Sequence, residues 1–262
     1  MDIKELNVPG HSNNKQNHPW EYARSKVVNN IIKKYIRNID NGVALDIGSG
    51  DVFFLTQFSN SYPGFKLIAV DTAYDDKLIS SLTEKYKSYN ITFYKDLKEI
   101  HIPHSKPASV VFLLDVIEHI ENDVGFLKSL STNDYINQDT VFMITVPAYQ
   151  SLYCEHDKWL GHYRRYSQHS LERCIKNAGL TYIAGGYFFS SLLFPRLIQK
   201  VHQNFTSENK NVKGVGDWNG KKALSYIFEK ILLLDYFFSR ILKSLRINIP
   251  GLSTYILCRK IS

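Results

Sequence analysis

Apolar and polar positions along this chain follow two rhythms. Between Pro19 and Ile39, Val27, Ile31, Ile32, Tyr35 and Ile36 recur at three- and four-residue spacing. That is the period of a helix with one buried face. After Asn41-Gly42 the pattern changes to short, almost unbroken apolar runs at Val43–Ile47, Lys66–Val70, Ile91–Tyr94, Ser109–Leu114 and Val141–Val146. Helical segments lie between them. Strands that are apolar at every position, instead of every second one, belong to parallel sheets covered on both faces. Their alternation with helices predicts an α/β chain with a doubly wound, mostly parallel sheet. Ser167–Asn177 reads as a further helix, ended by Ala178-Gly179. Leu180–Ala184 and Thr254–Cys258 complete seven strands.

The stretch 187–250, between the last two strands, is far longer than an ordinary connection. It divides in three. Tyr187–Val201 is apolar and aromatic, with a kink or break expected at Pro195. Asn204–Gly220 is polar and reads as a loop. Lys221–Arg246 reads as a long helix. Its Ile227, Ile231, Leu234, Phe238, Ile241 and Leu245 share one face, broadly opposite Lys222, Ser225, Glu229, Arg240, Lys243 and Ser244. The preferred expectation is that the apolar face packs on the domain's own core or on a second copy. The other is a basic amphipathic helix lying on a membrane. The predicted organisation is a flexible arm at 1–18, one domain built from 19–186 plus 251–262, and a helical insertion at 187–250 that serves as lid, dimer contact or membrane contact.

Composition narrows the function classes. The chain has 262 residues, a net charge of +7 and three cysteines, Cys154, Cys174 and Cys258. With no CxxC pair, a zinc site or redox pair is not expected. The start of the sequence is polar, without an apolar signal core, and no run approaches the length of a membrane span. The expected location is cytoplasmic, with peripheral membrane contact left open. Excess positive charge suits nucleic acid, anionic lipid or phosphorylated ligands. There is no basic run of five or more, which speaks against nucleic acid.

The chemistry concentrates where the first strand ends. The sequence VALDIGSGDVFF places Asp46 in an apolar strand, followed by Gly48, Ser49 and Gly50. Ligands of open α/β sheets bind beyond the carboxyl ends of the strands, where glycines let the backbone approach closely. Asp71 ends the second strand and suits the two hydroxyls of a ribose. A dinucleotide fingerprint needs a third glycine where Phe53 stands. A carboxylate at Asp46 would also repel a phosphate, whereas it would attract an ammonium. S-adenosylmethionine carries an ammonium and a sulfonium, so Asp46 favours it over NAD.

DIGSG, the acid in AVD, Asp96 after the third strand and LLDVIEHI around the fourth resemble class I S-adenosylmethionine-dependent methyltransferases, the small-molecule and quinone-type group. The resemblance implies a seven-stranded Rossmann-like sheet and S-adenosyl-L-methionine as cofactor. By the same resemblance Asp46, Gly48, Ser49, Gly50, Asp71, Thr72, Asp96, Leu97, Asp115 and Val116 would surround the cofactor. The pattern departs at Val52, where the family usually has glycine, and a side chain there is expected to narrow the pocket or shift the cofactor.

Downstream of the fifth strand, VPAYQSLYCEHDKWLGHYRRY resembles a subgroup with an HD…GHxRRY pattern, and HPWEYARSK resembles that subgroup's opening helix. Many members appear beside cell-envelope sugar or polyprenol chemistry. The acceptor candidates are therefore Trp20, Arg24, His119, Tyr149, Asp157, Arg164, Arg165 and Tyr166, with His162 and then His156 as candidate bases. The bland alternative for Arg164 and Arg165 is a salt bridge to a nearby acid such as Glu172. His156, Asp157 and His162 fall short of a metal-ligand set, so no metal is expected. The reading is methyl transfer, on oxygen, to a small-molecule or lipid-linked acceptor, with a homodimer left open. The alternatives are a cofactor-binding scaffold without turnover and a nucleic-acid methyltransferase.

Overall fold

A computed structural model describes residues 18–36, 39–103, 105–205, 222–245 and 247–261. All of the expected arm at 1–18 except His18, and most of the expected loop at 204–220, lie outside the described residues. The seven strands are β1 (Val43–Ile47), β2 (Lys66–Val70), β3 (Ile91–Tyr94), β4 (Val110–Leu114), β5 (Val141–Pro147), β6 (Leu180–Phe188) and β7 (Ser253–Lys260). They form one sheet in the order β3-β2-β1-β4-β5-β7-β6. The β1–β5 pairings are parallel, and β7 runs antiparallel to both neighbours. This is the expected doubly wound sheet. The chain moves outward from β1 in one direction and resumes with β4 on its other side, so the switch point lies between β1 and β4.

Eight α-helices are described: α1 (Pro19–Ile36), α2 (Phe53–Ser61), α3 (Asp76–Lys85), α4 (Asp123–Ser131), α5 (Glu155–Leu160), α6 (Gln168–Asn177), α7 (Leu193–Phe205) and α8 (Lys222–Ser244). Two apolar clusters sit on the two faces of the sheet. One joins α1, α2 and Leu232 and Tyr236 of α8 to Ala44, Phe112 and Leu257. The other joins α4 and α6 to Leu45, Val111, Phe142 and Ile256. The β4 run is buried at all five positions, as its unbroken apolar sequence requires. Local signals set helix starts: the Asp75 carboxylate accepts from Leu78 N at 2.7 Å, and the Ser167 hydroxyl accepts from Ser170 N at 3.1 Å.

Three expectations change. β6 does not stop at Ala184; it continues through Phe188, past the boundary drawn at 186, because β7 offers it a register out to Ser253. Pro195 does not kink a helix. It lies in the first turn of α7, where its missing N–H would have had no intrahelical partner.

The third change concerns α8, which is oriented opposite to its pattern. Ser225, Glu229, Leu232 and Tyr236 are its buried residues. Ile227, Ile231, Leu234, Phe238, Ile241 and Leu245 are instead 42% to 65% exposed. The polar side docks on α1 and β6 through specific partners: Glu229 with Lys26, Arg240 with Asn30, and Lys243 with the Gly185 carbonyl. The apolar period marks the helix correctly, but a second apolar set, Leu232 and Tyr236, packs on the core, and these polar contacts flank it.

Candidate active site

A cavity of about 1320 Å³ opens at the carboxyl edge of the sheet, over the β1/β4 switch point. Its floor is the turn after β1. Gly48 N and Ser49 N both donate to the Val70 carbonyl, at 2.8 and 3.2 Å, which ties the turn to β2. Gly48 has φ +71°, and a Cβ there would come within 2.7 Å of Val116 Cγ2. Only glycine fits. Gly50 N donates to the Asp71 carboxylate at 3.0 Å, and the Tyr74 hydroxyl donates to the Gly50 carbonyl at 2.8 Å. Tyr74 is a prop that its sequence position did not advertise.

Asp46, Gly48, Ser49, Asp71, Thr72, Asp96, Leu97, Asp115 and Val116 all line this cavity. Gly50 does not; it shapes the turn from behind. Asp96 also caps the short turn Leu97–Glu99, accepting from Lys98 N at 2.9 Å. Asp46 is 3% exposed. Burial pushes its carboxyl up to about 8; Arg24 opposes the shift, and Asp71 and Asp51 add to it. Val52 has φ 55° and ψ 15°, the left-handed conformation a glycine would favour. Its side chain is fully buried in the core cluster and is absent from the cavity lining. The expected narrowing by Val52 does not occur.

The other half of the cavity is built from α1, the segment after β5, and the insertion. Trp20 and Arg24 line it from α1, and the Arg24 guanidinium stacks 4.4 Å from the centre of the Trp20 ring. His119, His156, Asp157, His162 and Arg165 line it as well. Asp157 is the hub. Its Oδ1 accepts from His162 Nδ1 at 2.9 Å and Arg165 Nε at 2.8 Å, and its Oδ2 accepts from Cys154 N at 2.9 Å. Burial alone would raise this carboxyl. The His162 hydrogen bond and the Arg165 charge hold it well below its ordinary range. Burial, reinforced by the Arg196 charge, pushes His156 down to about 4.

Tyr149, Arg164 and Tyr166 were expected to meet the acceptor, but they lie outside the lining. Tyr149 stacks on Tyr187 at 5.2 Å. Arg164 pairs with Asp123 at 2.9 Å, and the Tyr166 hydroxyl donates to the same carboxylate at 2.6 Å. The acid that takes Arg164 is therefore Asp123, on α4, and not Glu172. Among the lining residues that sequence reasoning did not name are two with ionisable side chains at the acceptor end. Arg196, on α7, reaches Asp157 at 3.4 Å. Glu118 is fully buried, and neither carboxylate oxygen has a hydrogen-bond partner among the described residues. Burial, and then the nearby Asp115 charge, raise it well above an ordinary carboxyl. Nothing in the residue types announced either one.

A family model described as a methyltransferase domain matches residues 20–184. The chain belongs to that methyltransferase family. Solved structures similar to this methyltransferase include coclaurine N-methyltransferase bound to N-methylheliamine and S-adenosylhomocysteine, with a TM-score of 0.56 and 12% identity over 99% of this chain and 79% of that one. Haemonchus contortus phosphoethanolamine N-methyltransferase 2 in complex with S-adenosyl-L-methionine gives 0.57 and 15%, over 100% of this chain and 56% of that one. The [4+2]-cyclase SpnF gives 0.56 and 12%, over 96% and 86%. No curated protein sequence matches. At these identities the likeness is one of fold, and it places the methyltransferase on the class I sheet.

Proposed function

We propose that the chain transfers a methyl group from S-adenosylmethionine to an oxygen of a small or lipid-linked acceptor. The observation that carries this is a single cavity that joins the Asp46–Gly48–Asp71 floor to the His119–His156–His162 wall. The residues fit the donor. Gly48 leaves room that no side chain would. The buried Asp46 carboxyl, protonated in the ligand-free protein, would be favoured in its ionised form by an adjacent ammonium. Asp71 sits at the end of β2, where a ribose would lie. When bound, the donor supplies an already activated methyl. The protein's own task is to align the acceptor and handle its proton. His162 is the better-positioned candidate base, its ring fixed by Asp157. His156 is neutral at pH 7 but a weak proton acceptor, with its value near 4.

The insertion acts as the outer wall. Leu192, Pro195 and Arg196 around the start of α7, with Phe228 of α8, line the cavity. α7 separately exposes Phe194, Leu197, Ile198 and Val201, and α8 exposes the apolar face described above. Lys222 and Lys230 lie beside it and are exposed. An apolar face edged by lysines beside the cavity suits the interface of an anionic bilayer and an acceptor carried in it. No described helix is long and apolar enough to cross a membrane.

Calorimetric titration with S-adenosylhomocysteine and with NAD, repeated on Asp71→Ala, tests the donor site. Binding of the first ligand alone, weakened by the substitution, is the expected result. Labelled donor with metabolite and lipid extracts then tests turnover. A second reading is cofactor binding without methyl transfer, favoured by the likeness to a [4+2]-cyclase. Tight binding of S-adenosylhomocysteine with no labelled product from any extract would select it.

A further inference from the structure

We propose that Glu118, His119 and His162 form a binding site for one divalent transition-metal ion at the acceptor end of the cavity, its open positions facing an acceptor oxygen. Only the acceptor role rests on the methyl-transfer reading; the ion site stands on its own geometry.

Glu118 and His119 belong to the short turn Ile117–His119 after β4, and His162 follows α5. One ligand atom from each lies within 4.8 Å of the other two. Ligand atoms around one first-row ion are roughly 3–4 Å apart, so side-chain rotations that close the set by up to about 1–2 Å would suffice. The two imidazole rings meet edge to face, with centroids 4.6 Å apart. All three residues line the cavity.

Two further observations point to a cation. Glu118 is fully buried and neither of its oxygens has a hydrogen-bond partner among the described residues. A buried carboxyl group without partners is costly, and a bound cation would satisfy both oxygens. His162 Nδ1 is held by Asp157 at 2.9 Å, so Nε2 is the atom left for a ligand bond. Asp157 is itself fixed by Arg165 at 2.8 Å. A carboxylate that orients an imidazole from its far nitrogen is the usual outer partner of a metal-bound histidine.

The donor set decides the class of ion. Two imidazoles and one carboxylate suit Zn²⁺, Mn²⁺, Fe²⁺ or Co²⁺, whereas Ca²⁺ and Mg²⁺ prefer oxygen alone. Three protein ligands leave positions open to the cavity, where an acceptor hydroxyl on the ion would lose its proton more readily. His162 then serves as a ligand; the ion would acidify the bound hydroxyl enough for its proton to pass to solvent water, so no protein base is needed. The expectation of no metal considered only the segment after β5. The completing ligands come from the turn after β4.

The test is calorimetric titration of chelator-treated, full-length protein with Mn²⁺, Zn²⁺ and Co²⁺, with the visible Co²⁺ spectrum recorded alongside. The expected result is one ion per chain, bound at micromolar concentration or tighter. Glu118→Gln and His162→Ala should each weaken it tenfold or more. Asp157→Asn should weaken it less, as a positioning residue would. Circular dichroism and S-adenosylhomocysteine affinity, measured on each variant, show whether the fold and donor site persist. No binding by the unsubstituted protein at large excess of every ion overturns the proposal. So does a Glu118→Gln protein with unchanged affinity. If the ion binds as expected but S-adenosylhomocysteine does not, the donor reading fails and the metal site stands.

Discussion

Arg24, on the helix that precedes the sheet, pairs with Asp115 at the far end of β4. Asp115 has φ 60°, a conformation uncommon outside glycine, and its other oxygen accepts from Thr145 Oγ1 at 3.1 Å. The pair ties α1 to the segment just after β4, and both residues line the cavity. Arg24→Ala should lower stability by about 2–3 kcal/mol, because it leaves a half-buried carboxylate without its cation. It should also weaken S-adenosylhomocysteine binding by about tenfold or more. Urea unfolding and calorimetry would check both.

Asp46 trades stability for binding. Its carboxyl is raised to about 8 in the folded chain, so the native state keeps a proton that the unfolded chain loses near pH 4. Stability of the ligand-free protein should therefore fall as pH rises from about 4 to about 8, since the native state binds more protons. Asp46→Asn removes that slope. At about pH 8 the ligand-free variant should melt higher than the unsubstituted protein, yet bind S-adenosylhomocysteine at least tenfold more weakly. Thermal melts at about pH 5 and pH 8, with and without ligand, would separate the two effects.

Val52→Gly should leave donor affinity within about threefold, because the Val52 side chain packs in the core and not in the cavity. The substitution relieves left-handed strain of about 1–2 kcal/mol. It loses apolar burial and adds chain entropy worth somewhat more. The net cost should be about 1–2 kcal/mol, visible as a melting temperature lower by several degrees. A large change in affinity at constant fold would place the side chain in the pocket after all.

The exposed face of α8 makes a prediction of opposite kind. Replacing Ile231 and Phe238 together by glutamate should change folding stability by no more than about 0.5 kcal/mol, because they are 48% and 59% solvent-exposed. The same change should abolish sedimentation with anionic vesicles at low salt. Unchanged sedimentation would remove the membrane reading. Loss of a dimer in the same variant, measured by light scattering, would instead mark the face as a contact between two copies.

Much of this arrangement could be read from residue order. Continuous apolar runs located the parallel strands, and Asp46, Gly48 and Asp71 located the floor of the cavity, because those residue types are constrained locally. Legibility ended where partners come from distant segments. Tyr166 and Arg164 look like acceptor contacts until Asp123 on α4 is seen to take both. Glu118 looks like one acid in a polar turn until both of its oxygens prove to be buried with no hydrogen-bond partner among the described residues. The face of α8 was misread because periodicity measures the apolar stripe but is blind to Lys26 and Asn30, which bind the other side.

The bed on which α8 lies is α1, and α1 is also the element that carries Trp20 and Arg24 to the cavity. One rod thus carries α8 on one flank and lines the pocket with the other, so the proposed docking of α8 on a surface would be felt at the pocket. Engagement of α8 and occupancy of the pocket would then be reciprocal quantities: whatever factor a surface contributes to ligand affinity, the ligand must return to affinity for that surface.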